Sequence, residues 1–183
     1  MKIGSFLKKL LAATPAGEAG EDTGVMGTRV SEVYRLHGMA SAVVPDDSPL
    51  ESIVIKFADE PGLWGIFLVS SQRRFTGVVT RIDLLRWAHF QLFGSKGRRK
   101  MTVSEFFRLV DAKKAKDLCR GDQQALSVKE SDSLQAALDK MLDQEEDVLP
   151  VLDSQGEIID DLRLSEVLQW LLVHGRRKLE GRE

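Results

Sequence analysis

The chain carries one pattern twice. Glu32 and Asp117, Ser48 and Asp132, Val69 and Leu152, and Asp83 and Glu166 are matched landmarks in the same order, separated by 85, 84, 83 and 83 residues. A self-match at nearly constant offset constrains architecture more firmly than any single propensity. Each copy reads strand, helix, strand, strand, helix. In the first, Ala42-Val43-Val44 is a strand, and Ser48-Pro49-Leu50-Glu51 starts a helix. Ser48 serves as N-cap, Pro49 takes the first helical position and Glu51 closes a capping box. Leu50, Ile53, Val54 and Phe57 give that helix its apolar face, and Pro61-Gly62 ends it. Phe67-Leu68-Val69 and Gly77-Val78-Val79 flank a polar turn, and a helix from Thr80 runs through Trp87, Phe90 and Phe93 to Gly94.

The second copy follows the same order. Lys114 to Cys119 echoes Arg29 to Tyr34, and Ala125 to Val128 is the short strand. Asp132-Ser133-Leu134-Gln135 starts a capped helix whose buried face is Leu134, Ala137, Leu138 and Met141. Val148 to Leu152 and Ile158-Ile159 are paired strands, and Leu164, Val167, Leu168 and Leu171 carry the last helix. A three-stranded sheet covered by two helices keeps one apolar face, so two such units bury most by packing sheet against sheet. The expected class is therefore α+β, with two tandem β-α-β-β-α units related by a pseudo-two-fold axis.

Composition shifts divide the chain into five parts. Residues 1–27 hold a short amphipathic helix and a linker. Ile3, Phe6, Leu7, Leu10 and Leu11 recur at helical spacing with Lys2, Lys8 and Lys9 elsewhere on the wheel, and Thr14 to Gly27 is rich in Gly, Ala and acids. Residues 28–93 form the first unit, 94–113 a basic helical connector, 114–173 the second unit and 174–183 a charged tail. In the connector, Thr102-Val-Ser-Glu105 is a capping box, and Phe106, Phe107 and Val110 supply apolar surface.

Several function classes are disfavoured. A formal charge of −2 creates no global field toward nucleic acid or acidic membrane. The basic run Ser95 to Lys100 reads as a solvated connector, because no aromatic side chains interleave with the cations. Cys119 is the single cysteine, and His37, His89 and His174 lie far apart, so neither a disulfide framework nor a metal-ligand spacing arises. No apolar run reaches the roughly 20 residues that span a bilayer, and a cytoplasmic protein is expected. No phosphate loop, dinucleotide fingerprint or nucleophile–base pair appears, so an enzyme is not expected.

The order of these cues resembles the CBS domain, named after cystathionine β-synthase. The cues are Lys116-Asp117-Leu118, the capped helix after a short strand, Val148-Leu149-Pro150-Val151-Leu152-Asp153 and Gly77-x-x-Thr80-x-x-Asp83. Two copies in tandem are similar to the adenosine-sensing Bateman module, over about Arg29 to Leu172. That resemblance implies frequent homodimers and a ligand cleft on each side of the inter-unit interface. It also implies that Asp83 accepts hydrogen bonds from a ribose hydroxyl pair while Thr80 helps to hold ribose or phosphate, with Arg81 adding charge. A carboxylate suits two donors, and a helix N-terminus suits an anion. Thr-x-x-Asp is equally a plain N-terminal cap, and the two roles are compatible in part.

The other wall of this cleft is expected around Gly121, Leu126 and Glu146-Asp147. Acids there disfavour a polyphosphate, so AMP or an adenosyl ligand fits better than ATP. The second cleft departs from the pattern: Asp160-Asp161 stand for the glycine and Arg163 for the hydroxyl, and Glu166 keeps an acid. The expectation is a regulatory adenosine-nucleotide sensor that passes occupancy to a protein partner. The alternative is a scaffold that binds no nucleotide and acts through protein–protein contacts.

Overall fold

The computed structural model describes residues 27–34, 38–94, 102–119 and 123–180. The sequence-assigned helix of residues 3–11, its linker and the basic run Ser95 to Lys100 lie outside the described residues, as does Gly121. Two three-stranded sheets are present. The first has strands β1 (Ala42–Pro45), β2 (Gly65–Val69) and β3 (Phe75–Thr80), in the order β1-β2-β3. The second has β4 (Val128–Lys129), β5 (Val148–Leu152) and β6 (Ile158–Arg163), in the order β4-β5-β6. In both, the first pair is parallel and the second antiparallel, with a register shift at the same place, Leu68/Val69 and Val151/Leu152. The helices are α1 (Leu50–Asp59), α2 (Arg81–Phe93), α3 (Val103–Val110), α4 (Leu134–Gln144) and α5 (Leu164–Glu180). No described helix is long and apolar enough to cross a membrane.

Several local expectations are corrected. Pro49, not Ser48, occupies the N-cap of α1 and no side chain caps it. Proline has no N–H, and the Leu50 N–H donates instead to the Lys113 carbonyl at 2.9 Å, so the connector takes the place of a cap. The β4 strand is only Val128–Lys129, because Ala125 and Leu126 are in a 3-10 turn. Phe107 and Val110 of α3 are exposed; Leu109 is the buried residue of that helix, and Phe106 packs beside it. Leu164 and Leu168 of α5 are exposed, leaving Val167 and Trp170 in the core. Helix α5 also continues to Glu180, through residues read as a tail.

Among the described residues three apolar clusters hold the molecule together, and all three cross the units. Val30, Val33 and Tyr34 come from the leader of the first copy. They pack with Val128, Leu134, Leu149, Leu162 and Val167 of the second. Reciprocally, Ala115 and Leu118 pack with Leu50, Ile53, Ile66 and Val79 of the first. Backbone hydrogen bonds repeat the exchange in register. Leu50, Ala115 and Lys116 N–H donate to the carbonyls of Lys113, Ser48 and Asp46; Leu134, Val30 and Ser31 N–H donate to those of Thr28, Asp132 and Glu130. The acids matched in the sequence close each leader: Arg29 N–H donates to Glu32 at 2.9 Å and Lys114 N–H to Asp117 at 2.8 Å. The third cluster lies between the sheets, where Phe67 and Val78 meet Leu126 and Val148. At its far end Phe75 N–H donates to the Gly156 carbonyl at 2.9 Å and joins the two hairpins.

Because each leader completes the opposite core, the halves should melt together. Leu118→Ala, at a site 1% exposed, is expected to cost about 2–5 kcal/mol. A single calorimetric transition should move down as a whole; two resolved transitions, with only one displaced, would contradict a shared core.

Candidate functional site

The most informative region lies at the two equivalent strand-to-helix corners, β3–α2 and β6–α5. At the first, Thr80 is the N-cap of α2 and Asp83 its third residue. The Asp83 N–H donates to Thr80 Oγ1 at 3.4 Å, while the Thr80 N–H and hydroxyl donate to Asp83 Oδ2 at 3.0 and 2.8 Å. Both side chains are buried, Asp83 to 3% exposure. The cap reading of Thr-x-x-Asp is therefore realised in the structure. Asp83 Oδ1 lies 3.8 Å from the Arg86 guanidinium, one turn further along α2. Arg81, expected to add charge at this corner, is exposed and its guanidinium donates to the Pro61 carbonyl.

Leu126 is brought to this corner. It packs on Val78, two residues before Thr80, within the inter-sheet cluster. Gly65, the register partner of Thr80, faces Val148 of the second unit: a Cβ there would lie 3.5 Å from Val148 Cγ1. Asp147 is placed differently from its partners. Its side chain is exposed and its carbonyl accepts the Leu164 N–H at 2.9 Å, so its backbone supports the start of α5. Glu146 is buried. The second leader also reaches the first corner. Burial pushes the Cys119 thiol up to about 12, reinforced by Asp83, Asp46 and Asp117 and opposed by Arg108. The thiol stays protonated through the physiological range. Arg108 donates to the Leu118 and Cys119 carbonyls at 2.6 and 2.7 Å and fixes this segment.

The second corner is built from ions. Arg163 occupies the position of Thr80, and Glu166 that of Asp83. The Arg163 guanidinium donates to Glu166 Oε1 at 2.8 Å and to the Gly38 carbonyl at 3.2 Å, and its Nε lies 3.6 Å from Asp161 Oδ1. Asp161 in turn accepts the Ala40 N–H at 3.2 Å. Asp161 and Glu166 are fully buried. The same seat thus has two chemistries. The segment before β4 meets Val78 through Leu126, whereas the segment before β1 meets Asp161 and Arg163 through backbone polar groups.

The sequence did not assign Arg86 or Cys119 to the site, and it marked Asp161 only as a departure from the glycine pattern, though two of the three left a further signal. Arg86 stands three residues after Asp83 on a helix, within reach for an ion pair. Asp161 and Arg163 alternate on a strand, which puts both on one face. The approach of Cys119 to Asp83 follows from the exchanged leaders, which no local pattern records. Removing one member of a buried ionic group strands the others. Arg163→Ala is therefore expected to lower stability by about 3–5 kcal/mol, read by chemical denaturation. A change below about 1 kcal/mol would show that Asp161 and Glu166 do not depend on it.

By sequence, no curated protein matches this chain. The model of the CBS domain matches residues 115–173. Among solved structures, the chain is similar to a CBS domain-containing protein of Thermotoga maritima. Identity there is 25% and the TM-score 0.63, over 79% of this chain and 94% of that one. It shares the fold of CBSX2 in complex with AMP, at 21% identity and TM-score 0.58, over 80% and 97% of the two chains. A CBS domain protein of Pyrobaculum aerophilum complexed with AMP has the same fold, at 18% identity and TM-score 0.53, over 75% and 88%. Residues 115–173 thus match the CBS-domain model, and the two-unit fold of the chain is the one seen in these CBS-domain proteins.

Proposed function

We propose that this CBS pair is a regulatory sensor, not an enzyme, that binds an adenosine-type ligand at the β3–α2 corner. The observation that carries this reading is the inequality of the two corners. The first has an apolar wall, Leu126 and Val78, beside a capped helix N-terminus with one buried carboxylate. The second is filled by its own Arg163. An adenine face suits Leu126, and ribose hydroxyls would compete with Thr80 for Asp83, as the resemblance implies. CBSX2 and the Pyrobaculum protein were both solved with AMP, which supports AMP as the first candidate. The carboxylates of Asp83, Asp46 and Asp117 around Cys119 favour a ligand of low charge. Occupancy would act by population shift, since a ligand bridging both units favours one relative orientation. A cytoplasmic setting and a regulated protein partner complete the reading.

The competing reading, a scaffold without nucleotide, draws on the 3% exposure of Asp83. Calorimetric titration of nucleotide-stripped protein with AMP, ADP, ATP, S-adenosylmethionine and NADH separates them. Micromolar binding of AMP or another adenosyl ligand is expected, corresponding to about −8 kcal/mol. ATP should be weaker, and Asp83→Asn, which keeps a cap acceptor, should weaken binding at least about tenfold. Silence with all five in folded protein would transfer the assignment to the scaffold.

Ile82 and Leu85 of α2, and Leu168 and Leu172 of α5, are exposed large apolar side chains. We read them as the homodimer face, since such stripes on a folded surface mark association sites. Sedimentation should show a dimer that Leu85→Glu with Leu168→Glu converts to monomer; an unsubstituted monomer at high concentration would refute the assignment.

A further inference from the structure

Helix α3 belongs to neither copy of the repeat, and it is apolar on two sides. The fold accounts for the inner side: Leu109 is buried, and Phe106 meets Phe90 of α2 edge-on with ring centroids 5.4 Å apart. The Gln91 amide donates to the Leu109 carbonyl at 3.3 Å and ties α3 to α2. The fold does not account for the outer side. Val103, Phe107 and Val110 stand at i, i+4 and i+7, which is one helical stripe. They are 74%, 60% and 46% exposed. The Phe107 ring rests edge-on against Phe106 at 5.5 Å, so the stack that anchors the helix also buttresses its outermost ring. Leu92 and Phe93, at the end of α2, are exposed as well. Large apolar side chains grouped in this way on a folded surface mark an association site.

Charge decides what kind of partner fits. Residues 94–116 contain eight Lys and Arg against two acids, a net +6; with −2 for the whole chain, the remainder carries −8. Lys113, Lys114 and Lys116 follow directly on α3, and all three are exposed. A second copy would set one cationic segment against another, and facing like charges are costly. A nucleic acid would pair with the lysines but leave Val103 and Val110 against phosphate. An anionic lipid surface is broad and meets the acidic remainder of the chain as well, whereas a single helix touches this face alone. We propose that the stripe of Val103, Phe107 and Val110 docks an amphipathic helix of a partner protein, apolar on the contacting face and acidic beside it. The stripe runs about 10 Å along α3, two helical turns, and its spacing is the one through which one helix reads another. Phe107 is the central anchor, an aromatic ring held by its neighbours before any partner arrives. None of these residues belongs to the face assigned to the dimer or to either corner. This deepens the sensor reading, on which it rests for the existence of a protein partner, by giving that partner a chemistry.

Fluorescence anisotropy of the full chain tests it with a labelled synthetic helix, leucine on one face and glutamate beside it. Micromolar binding is expected. The same peptide with lysine in place of glutamate should bind at least about tenfold more weakly, because like charges then meet. Val103→Ser with Phe107→Ser should weaken the glutamate peptide at least about tenfold. Both side chains are exposed, so the melting curve should not move. Lys113→Glu with Lys114→Glu, also at exposed positions, should reverse the order of the two peptides and holds the test open if the serine variant melts early. No binding of the glutamate peptide at millimolar concentration would overturn the proposal. So would equal affinity for the two peptides, or an affinity that neither variant alters. Vesicles of phosphatidylcholine with phosphatidylserine, and sedimentation of the protein alone, complete the set. Vesicle binding or self-association that the serine variant abolishes, with the peptide silent, would overturn it in favour of lipid or a second copy. AMP titration of the same sample keeps the two readings apart, since AMP binding without peptide binding removes the docking stripe and leaves the sensor standing.

Discussion

Everything else in this molecule depends on the exchange of the two leaders. Val30 and Val33 are fully buried, yet the core that buries them belongs to the other copy; Ala115 and Leu118 are in the same position. A fully buried side chain of this size contributes about 1.5–3 kcal/mol of transfer free energy. Each unit would therefore lose several such contributions if separated from its partner's leader. The exchange fixes the relative orientation of the units before any sheet-to-sheet contact is counted. It also carries Cys119 to the N-terminus of α2, so the environment of Asp83 is a product of long-range topology. The inter-sheet cluster of Phe67, Val78, Leu126 and Val148 then closes the remaining apolar face of both sheets.

Within this symmetric frame the chemistry is unsymmetric where it matters. Val78 and Asp161 occupy equivalent strand positions, as do Thr80 and Arg163. One pair leaves an apolar wall beside the Thr80–Asp83 cap, and the other gives a buried ionic group that grips the segment before β1. A buried carboxylate without a cation is costly, so Asp161 and Arg163 are interdependent. Their sum is a seat already filled by protein. At the first corner Leu126 and Thr80 stand where the second has a gripped backbone and Arg163, and the proposal of ligand chemistry at one corner rests on that contrast.

Much of this was legible in the sequence. The repeat gave the number of units, the order of strands and helices and the equivalence of the corners, because the periodicity of apolar residues is set by local geometry. Glu32 and Asp117 close their leaders, and Thr80 and Asp83 form their cap, as residue type and spacing indicate. Less legible was anything that depends on a distant partner. The cap of α1 failed as an expectation because the Lys113 carbonyl, far along the chain, takes the Leu50 N–H. The expected strand at Ala125 and Leu126 failed because β5 offers pairing only to Val128 and Lys129. In the sequence Arg163 is only a departure from the hydroxyl pattern, and the fold shows the two buried carboxylates beside it. Arg81, chosen for its charge, turns to Pro61.

The reciprocal leaders also bear on how such a chain arises and changes. A single copy of the unit, made on its own, would have to swap its leader with a twin to complete its core, giving a two-fold dimer with two identical corners. In that ancestor every substitution alters both corners at once. Joining the copies in one chain keeps the swap but breaks this coupling. A charge such as Arg163 can then be installed at one corner while the other stays as it was, and duplication followed by fusion becomes a route from a symmetric assembly to a protein with one specialised site.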